Sequence, residues 1–315
     1  MIGPVKINTI SPGSTGDTNG SMIGPDSPSN WPNHGFDIRI DKEFTAYDSD
    51  LNIAKQLPYT VPANKSVISS ISNSIEKPRN QINEHAVLTV LGAVPPEGSF
   101  RPTYFGSDKT IKWNKSQIDY SKIKSVVNSA DFSLSEFESK FARPLVMLGL
   151  KDQYKGMLLI SNNYGTYGRD DAILLAQGGL AINSNLTNAQ KEKLVISYIQ
   201  IGLDIYEGIK RGNYIYPNGG WVHGFKLPTI VAGVVLNDND ILKYTNADAL
   251  ASDGKPGIFA EDRSHDYVNQ GDVDLARQNS TGGGTGCVLY ANGVCTRPIE
   301  PYTSSMVGMP EWLIE

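Results

Sequence analysis

Residues 187–211 read TNAQKEKLVISYIQIGLDIYEGIKR, and no other segment of the chain constrains the architecture as tightly. Thr187 with Gln190 is a capping-box signature, which predicts a helix start. The polar residues Lys193, Ser197, Gln200, Asp204, Glu207 and Arg211 follow at steps of 4, 3, 4, 3 and 4, one stripe at the helical period. Nearly everything off that stripe is apolar, from Val195, Tyr198 and Ile199 to Leu203, Ile205 and Ile209. Such a helix packs on most of its circumference. It belongs inside a helical array and does not lie alone on a sheet.

The neighbouring sequence supplies further helices. LPTIVAGVVL (227–236) predicts a second buried helix, with Pro228 tolerated in the first turn. Ser133 to Glu136 resembles a capping box opening a short helix that ends before Pro144, and Asp170-Asp171 place two acids at the start of another. Toward the N-terminus the period changes from helical to alternating. FDIRI (36–40), SVISSIS (66–72), AVLTVLGAV (86–94) and KTIKW (109–113) are expected to be strands. Residues 11–35 are mostly Gly, Ser, Pro, Asn and Asp, and residues 253–305 return to Gly, Pro and Ser with GGGTG at 282–286. The expected organisation is an extended or irregular arm (1–35), a β-rich domain of sandwich type (36–125), and a helical domain with a Gly/Pro-rich C-terminal loop region (126–315). The fold class is α+β.

Composition narrows the function. The 315 residues carry 28 Lys+Arg and 33 Asp+Glu, so the net charge is 28 − 33 = −5, too acidic for a dedicated nucleic-acid binder. No apolar run approaches the ~18–20 residues of a membrane span. The start, MIGPVKINTISPG, lacks the basic and apolar regions of a secretory signal, so either export takes another route or the chain is a trimmed form. Neither G-x-S-x-G, a Walker A loop, a Rossmann fingerprint nor HExxH occurs, which weighs against common hydrolases, NTPases, dehydrogenases and zincins. Cys287 and Cys295 bracket the turn dipeptide Asn292-Gly293, an arrangement that suits a small-loop disulfide and an oxidising compartment, with two unpaired thiols as the alternative.

Three constellations offer chemistry. NNYGTYGRDD (162–171) brings Tyr164, Tyr167, Arg169 and two Asp to a Gly-punctuated loop leading into a helix. These are groups that bind an acidic sugar and move a proton beside it, or that simply cap and pack a helix start. YPNGGWVHGFKLP (216–228) sets Asn218, Trp221, His223 and Lys226 on a glycine-rich loop. Trp221 suits a sugar-stacking platform and His223 a general base near neutral pH, or both pack an interhelical loop. FAEDRSHDYVNQGDVD (259–274) is acidic. Asp262, Asp272 and Asp274 form a weak candidate Ca²⁺ ligand set, but their order does not match an EF-hand and a solvated acidic surface loop explains them better. No other cofactor is expected.

HGFDIRI, the run 86–114, the helix 187–208, NGGWVHGFKLPTIVAGVVLND (218–238), FAED (259–262) and VGMPEW (307–312) together resemble a family of largely uncharacterised exported bacterial and phage-associated proteins. The resemblance covers most of the chain in order. It implies a helical part like the (α/α)-toroid of polysaccharide lyases, here partial, because residues 126–315 offer fewer helices than a closed toroid and family members usually run longer. Trp221 and Phe225 stand where the family typically has His and Arg, while His223 and Lys226 match. The implied activity is lyase-like cleavage of an acidic polysaccharide by an extracellular or virion-associated protein. Asn218 and Arg169 would neutralise the uronate, His223 and Tyr167 would transfer protons, and Trp221, Lys226 and Tyr164 would bind sugar. The competing expectation is a non-catalytic structural or adhesive phage or cell-surface component. Either way, self-association or a larger assembly is expected.

Overall fold

The structure is a computed structural model that describes all residues except 27–32, 41–45, 74–81, 148–156, 159–167, 213–222, 252–253, 255, 264, 269, 271–272, 275–286, 290–294, 299–302 and 313–315. It is a mixed α and β protein with small sheets, grouped into two units, Met1–Glu261 and Asp262–Glu315.

In the first unit, β1 (Val5–Ile7), β2 (Ser21–Ile23), β3 (Asn33–His34) and β4 (Ala46–Tyr47) are short. β5 (Tyr59–Val61) pairs antiparallel with β1, and β3 pairs parallel with β4. The larger sheet is antiparallel, in the order β2, then β6 (Lys65–Ser72), then β7 (Ile82–Val90). Its register sets Met22 opposite Ile68 and Ile68 opposite Val87. Alternation along β6 sends its side chains to two cores. Ile68 joins the main core with Met22, Ile82 and Phe105, while Val67 and Val90 join a smaller one with Ile53 and Val61. β8 (Val146–Met147) and β9 (Met157–Leu158) form a further antiparallel pair.

The helices are α1 (Leu134–Phe141), α2 (Gly168–Ile182), α3 (Asn188–Lys210), α4 (Lys226–Val235), α5 (Asn239–Tyr244) and α6 (Ala260–Arg263). α3 has the expected start, with Thr187 and Gln190 completing the capping box in both directions. Its apolar circumference is buried: Leu194, Val195, Tyr198, Ile199 and Ile205 are all 0% exposed. The α3–α4 crossing is close because Gly202 has no side chain. A Cβ there would lie 2.1 Å from the Pro228 carbonyl oxygen.

The two acids of the α3 polar stripe are buried as well. Asp204 and Glu207 are only 2% and 3% exposed. Residues 97–123 run over this stripe as a strap. Arg101 donates two hydrogen bonds from its guanidinium to the Asp204 carboxylate, and its backbone N–H donates to Gln200 Oε1 at 2.9 Å. Lys112 Nζ donates to Glu207 Oε1 at 2.7 Å, and Arg211 pairs with the same carboxylate. Trp113 Nε1 donates to Asp238 Oδ2 at 2.7 Å, and Asp238 also caps α5. Burial pushes Asp204 up to about 6 despite Arg101. Burial also works against the charge of Glu207, but hydrogen bonds from Lys112 and Arg211 outweigh it and hold that carboxyl below its ordinary range.

Several expectations change. The low-complexity start is not an arm with little to bury, since it contributes β1 and β2, and Met22 is 4% exposed. FDIRI is a turn. Its Asp37 side chain takes hydrogen bonds from the Arg39 backbone and guanidinium at 2.8–3.0 Å, an alternative to strand pairing. KTIKW is part of the strap, with Lys109 Nζ donating to the Phe105 and Gly106 carbonyls. The boundary expected near residue 125 does not separate compact units. One core runs from Met22 through Phe105 and Tyr198 to Ala260, and the grouping changes only after Glu261.

In the second unit, β10 (His265–Tyr267) pairs antiparallel with β13 (Pro310–Trp312), and β11 (Cys287–Leu289) with β12 (Cys295–Pro298). The two arms expected to flank Asn292-Gly293 thus pair, while that dipeptide lies outside the described residues. Its register sets Cys287 opposite Pro298 and Cys295 opposite Leu289, so the cysteines are offset along the ladder. Among the described residues no helix is long and apolar enough to cross a membrane.

Two predictions follow from this packing. Gly202→Ala should destabilise the protein by about 1–3 kcal/mol, the usual range for overpacking, read as a lowered denaturation midpoint. The second concerns pH. Burial pushes His34 down to about 4, partly offset by Asp37, and pushes His85 down to about 3. Both folded values lie below the ordinary ~6.5, so the unfolded chain binds more protons in that window. Their contribution is complete above pH ~6.5 and is lost as pH falls toward 4 and 3. Asp204, raised to about 6, and Glu261, also raised by burial, act oppositely. Relative to H34Q/H85Q, the wild type should lose stability on the order of 1–2 kcal/mol per pH unit in urea unfolding between pH 6.5 and 4.5.

Candidate functional site

The described part of the site is organised around Gly224. Its φ of +96° suits glycine, and a Cβ there would stand 2.6 Å from the Cα of Ala172. The end of the glycine-rich loop therefore packs backbone to backbone on the first turns of α2. Arg169 lies three residues before Ala172, close to one helical turn away. The third segment arrives through Glu261 on α6. Its Oε1 accepts hydrogen bonds from the backbone N–H of Gly224 at 2.8 Å and of Lys226 at 3.1 Å. The helix that follows the first constellation, the glycine-rich loop and Glu261 of the acidic segment thus meet at one glycine.

The local reason is a helix start without its own cap. Phe225 precedes α4 and offers no side-chain hydrogen bond, so the first N–H groups of the helix need an acceptor from elsewhere. Glu261 supplies a carboxylate at the positive end of the helix dipole. Burial raises the Glu261 pKa, while its backbone hydrogen bonds and the nearby His223 act in the other direction. His223 is half-buried and close enough to Glu261 for their charges to interact. A histidine beside a carboxylate, on a loop whose amides that carboxylate holds, is suited to proton transfer at a stable position. Thr229 Oγ1 donates to the Phe225 carbonyl at 3.1 Å and closes the same turn.

Of the residues singled out in the sequence, the structure places His223 and Lys226 on either side of Gly224, with Arg169 on the same helix as Ala172, one turn earlier. Tyr164, Tyr167, Asn218 and Trp221 lie outside the described residues. So does Asp272 of the acidic segment. Asp262 is half-buried, and Asp274 is exposed and accepts from Gln270 Nε2 at 3.0 Å. Among the described residues no group of three or more His, Cys, Asp or Glu side chains could hold a metal ion. The sequence presented Glu261 only as one acid among several and did not mark it as the anchor of the loop. The available signal was the missing Ser, Thr, Asp or Asn immediately before α4, which requires a cap from another element. Comparison with protein-family models, curated proteins and solved structures finds no match to this chain.

Glu261→Ala should destabilise the protein by about 1–3 kcal/mol, because two partly buried amides lose their acceptor. Glu261→Gln should cost less, since its amide oxygen can still accept from both. Chemical denaturation of the two variants side by side checks the order.

Proposed function

We propose that this is an extracellular or virion-associated carbohydrate-active protein that cleaves an acidic polysaccharide by a lyase-like reaction. The observation that supports the reading is the convergence at Gly224 of Ala172 on α2, the His223–Lys226 loop and Glu261. A uronate lyase must neutralise the sugar carboxylate, remove the C5 proton and protonate the leaving O4 oxygen. The C4–O bond then breaks and a C4–C5 double bond forms. In this reading Arg169 and Asn218 face the carboxylate, His223 and Tyr167 handle the protons, and Tyr164, Trp221 and Lys226 bind neighbouring sugars. Glu261 acts as a positioning residue that holds the His223 loop. On the same reading α1–α5 are an arc of an (α/α)-toroid, the small sheets are its sandwich-like companion, and the chain works as part of a larger assembly.

One observation favours a second reading. Glu261 Oε1 is already committed to two backbone amides, and Lys226 serves as the first residue of a helix. A non-catalytic structural or adhesive protein would keep these contacts for the scaffold alone.

Incubating the purified protein with a panel of uronate polysaccharides separates the two. The lyase reading expects the ultraviolet absorbance of the unsaturated product with at least one substrate. It also expects loss of that signal by a factor of at least ~10² in His223→Ala, the scale of a general acid–base contribution. A silent panel, or a fully active His223→Ala, favours the structural protein.

A further inference from the structure

Between the sheet and the helices of the Met1–Glu261 unit lies a cleft of about 550 Å³, within the size range of small-ligand sites. It shares no lining residue with the site at Gly224. Val87 of β7 and Ile196 of α3 give it apolar walls, and Ser99, Ser197 and Gln200 give it hydrogen-bonding groups. Its charged lining is Arg101, Lys115 and Arg143 against a single acid, Glu97.

The cations are held in different ways. Arg101 is locked by the buried Asp204, and Gln200 is pinned between the Arg101 backbone and Asp204 Oδ1. This part of the wall is rigid and its charge is compensated. Arg143 and Lys115 are 45% and 48% exposed and pair with Glu84 at 2.9 Å and Glu192 at 3.1 Å. Those acids stand outside the cleft lining. Water screens exposed pairs, so they exchange readily for another anion. A carboxylate entering the cleft can therefore recruit both cations, with Arg143 able to bind it through two parallel hydrogen bonds.

We propose that this cleft is a binding site for a short uronic-acid oligosaccharide. Its acid group lies between Arg143 and Lys115, its hydroxyls lie against Ser99 and Ser197, and a sugar face lies along Val87 and Ile196. The choice of a uronic acid as ligand rests on the acidic-polysaccharide reading above; binding in the cleft requires no chemistry at Gly224.

Calorimetric titration with trigalacturonate, and with maltotriose as the uncharged counterpart, tests this. The wild type should bind trigalacturonate, with maltotriose at least about tenfold weaker. R143Q/K115Q should lose roughly tenfold for trigalacturonate while keeping its circular dichroism and melting temperature. The proposal is overturned by no binding at ~1 mM ligand, by equal affinity for the two sugars, or by an unchanged R143Q/K115Q. Binding abolished by His223→Ala but not by R143Q/K115Q overturns it too. Charge-dependent binding without any lyase activity supports the cleft while removing the catalytic reading of Gly224.

Discussion

The carboxylates of Asp204 and Glu207, carried in mid-helix on α3 and shut away from water, constrain everything around them. A buried carboxylate without a cation is strongly unfavourable, and breaking such a pair by removing one partner costs about 3–5 kcal/mol. The chain answers with Arg101, Lys112 and Arg211. Two of these cations lie on the strap between the sheet and α1, so the strap must cross α3 at one register. With Arg101 on Asp204 and Lys112 on Glu207, Trp113 falls where its indole N–H meets Asp238 at the start of α5. One ionic requirement thus ties the β part, the long helix and the α4–α5 corner into a continuous core.

That tie also explains where the clefts and loops fall. The strap leaves the sheet beside β7 and crosses α3 at Gln200, and the space it spans there becomes the polar cleft. On the other flank, the close approach at Gly202 presses α4 onto α3. This presents the uncapped start of α4 to α2 and to Glu261. The Gly224 site follows from helix packing: Gly202 sets the height of α4, Ala172 and Gly224 allow contact with α2, and Glu261 supplies the missing acceptor.

Legibility in the sequence varied with the kind of signal. The limits of α3 were plain, because a capping box and an unbroken period act within a few residues. The hairpin between Cys287 and Cys295 was equally plain from Asn-Gly. Alternation misled at FDIRI, where Asp37 competes for the backbone and wins, and at KTIKW, whose residues serve the strap. Low complexity misled at residues 11–35. Met22 and Ile23 are a short apolar pair in a polar stretch, yet Met22 completes a sheet edge against Ile68. The residues of the Gly224 site could be named as types in three separate segments, but nothing in their spacing said that they would meet.

What the sequence determined by itself was therefore local: helix starts, turn dipeptides, the apolar faces, and the presence of a polar stripe on α3. Whether the acids of that stripe would face water or be covered was a tertiary decision, because two of their three cations, Arg101 and Lys112, come from 103 and 95 residues earlier in the chain. The meeting of Arg169's helix, His223 and Glu261 was decided at the same level. Short-range patterns follow from backbone geometry, whose period is written into each segment. Long-range partnerships depend on which buried charges and uncapped amides must find each other, and only the folded chain settles that.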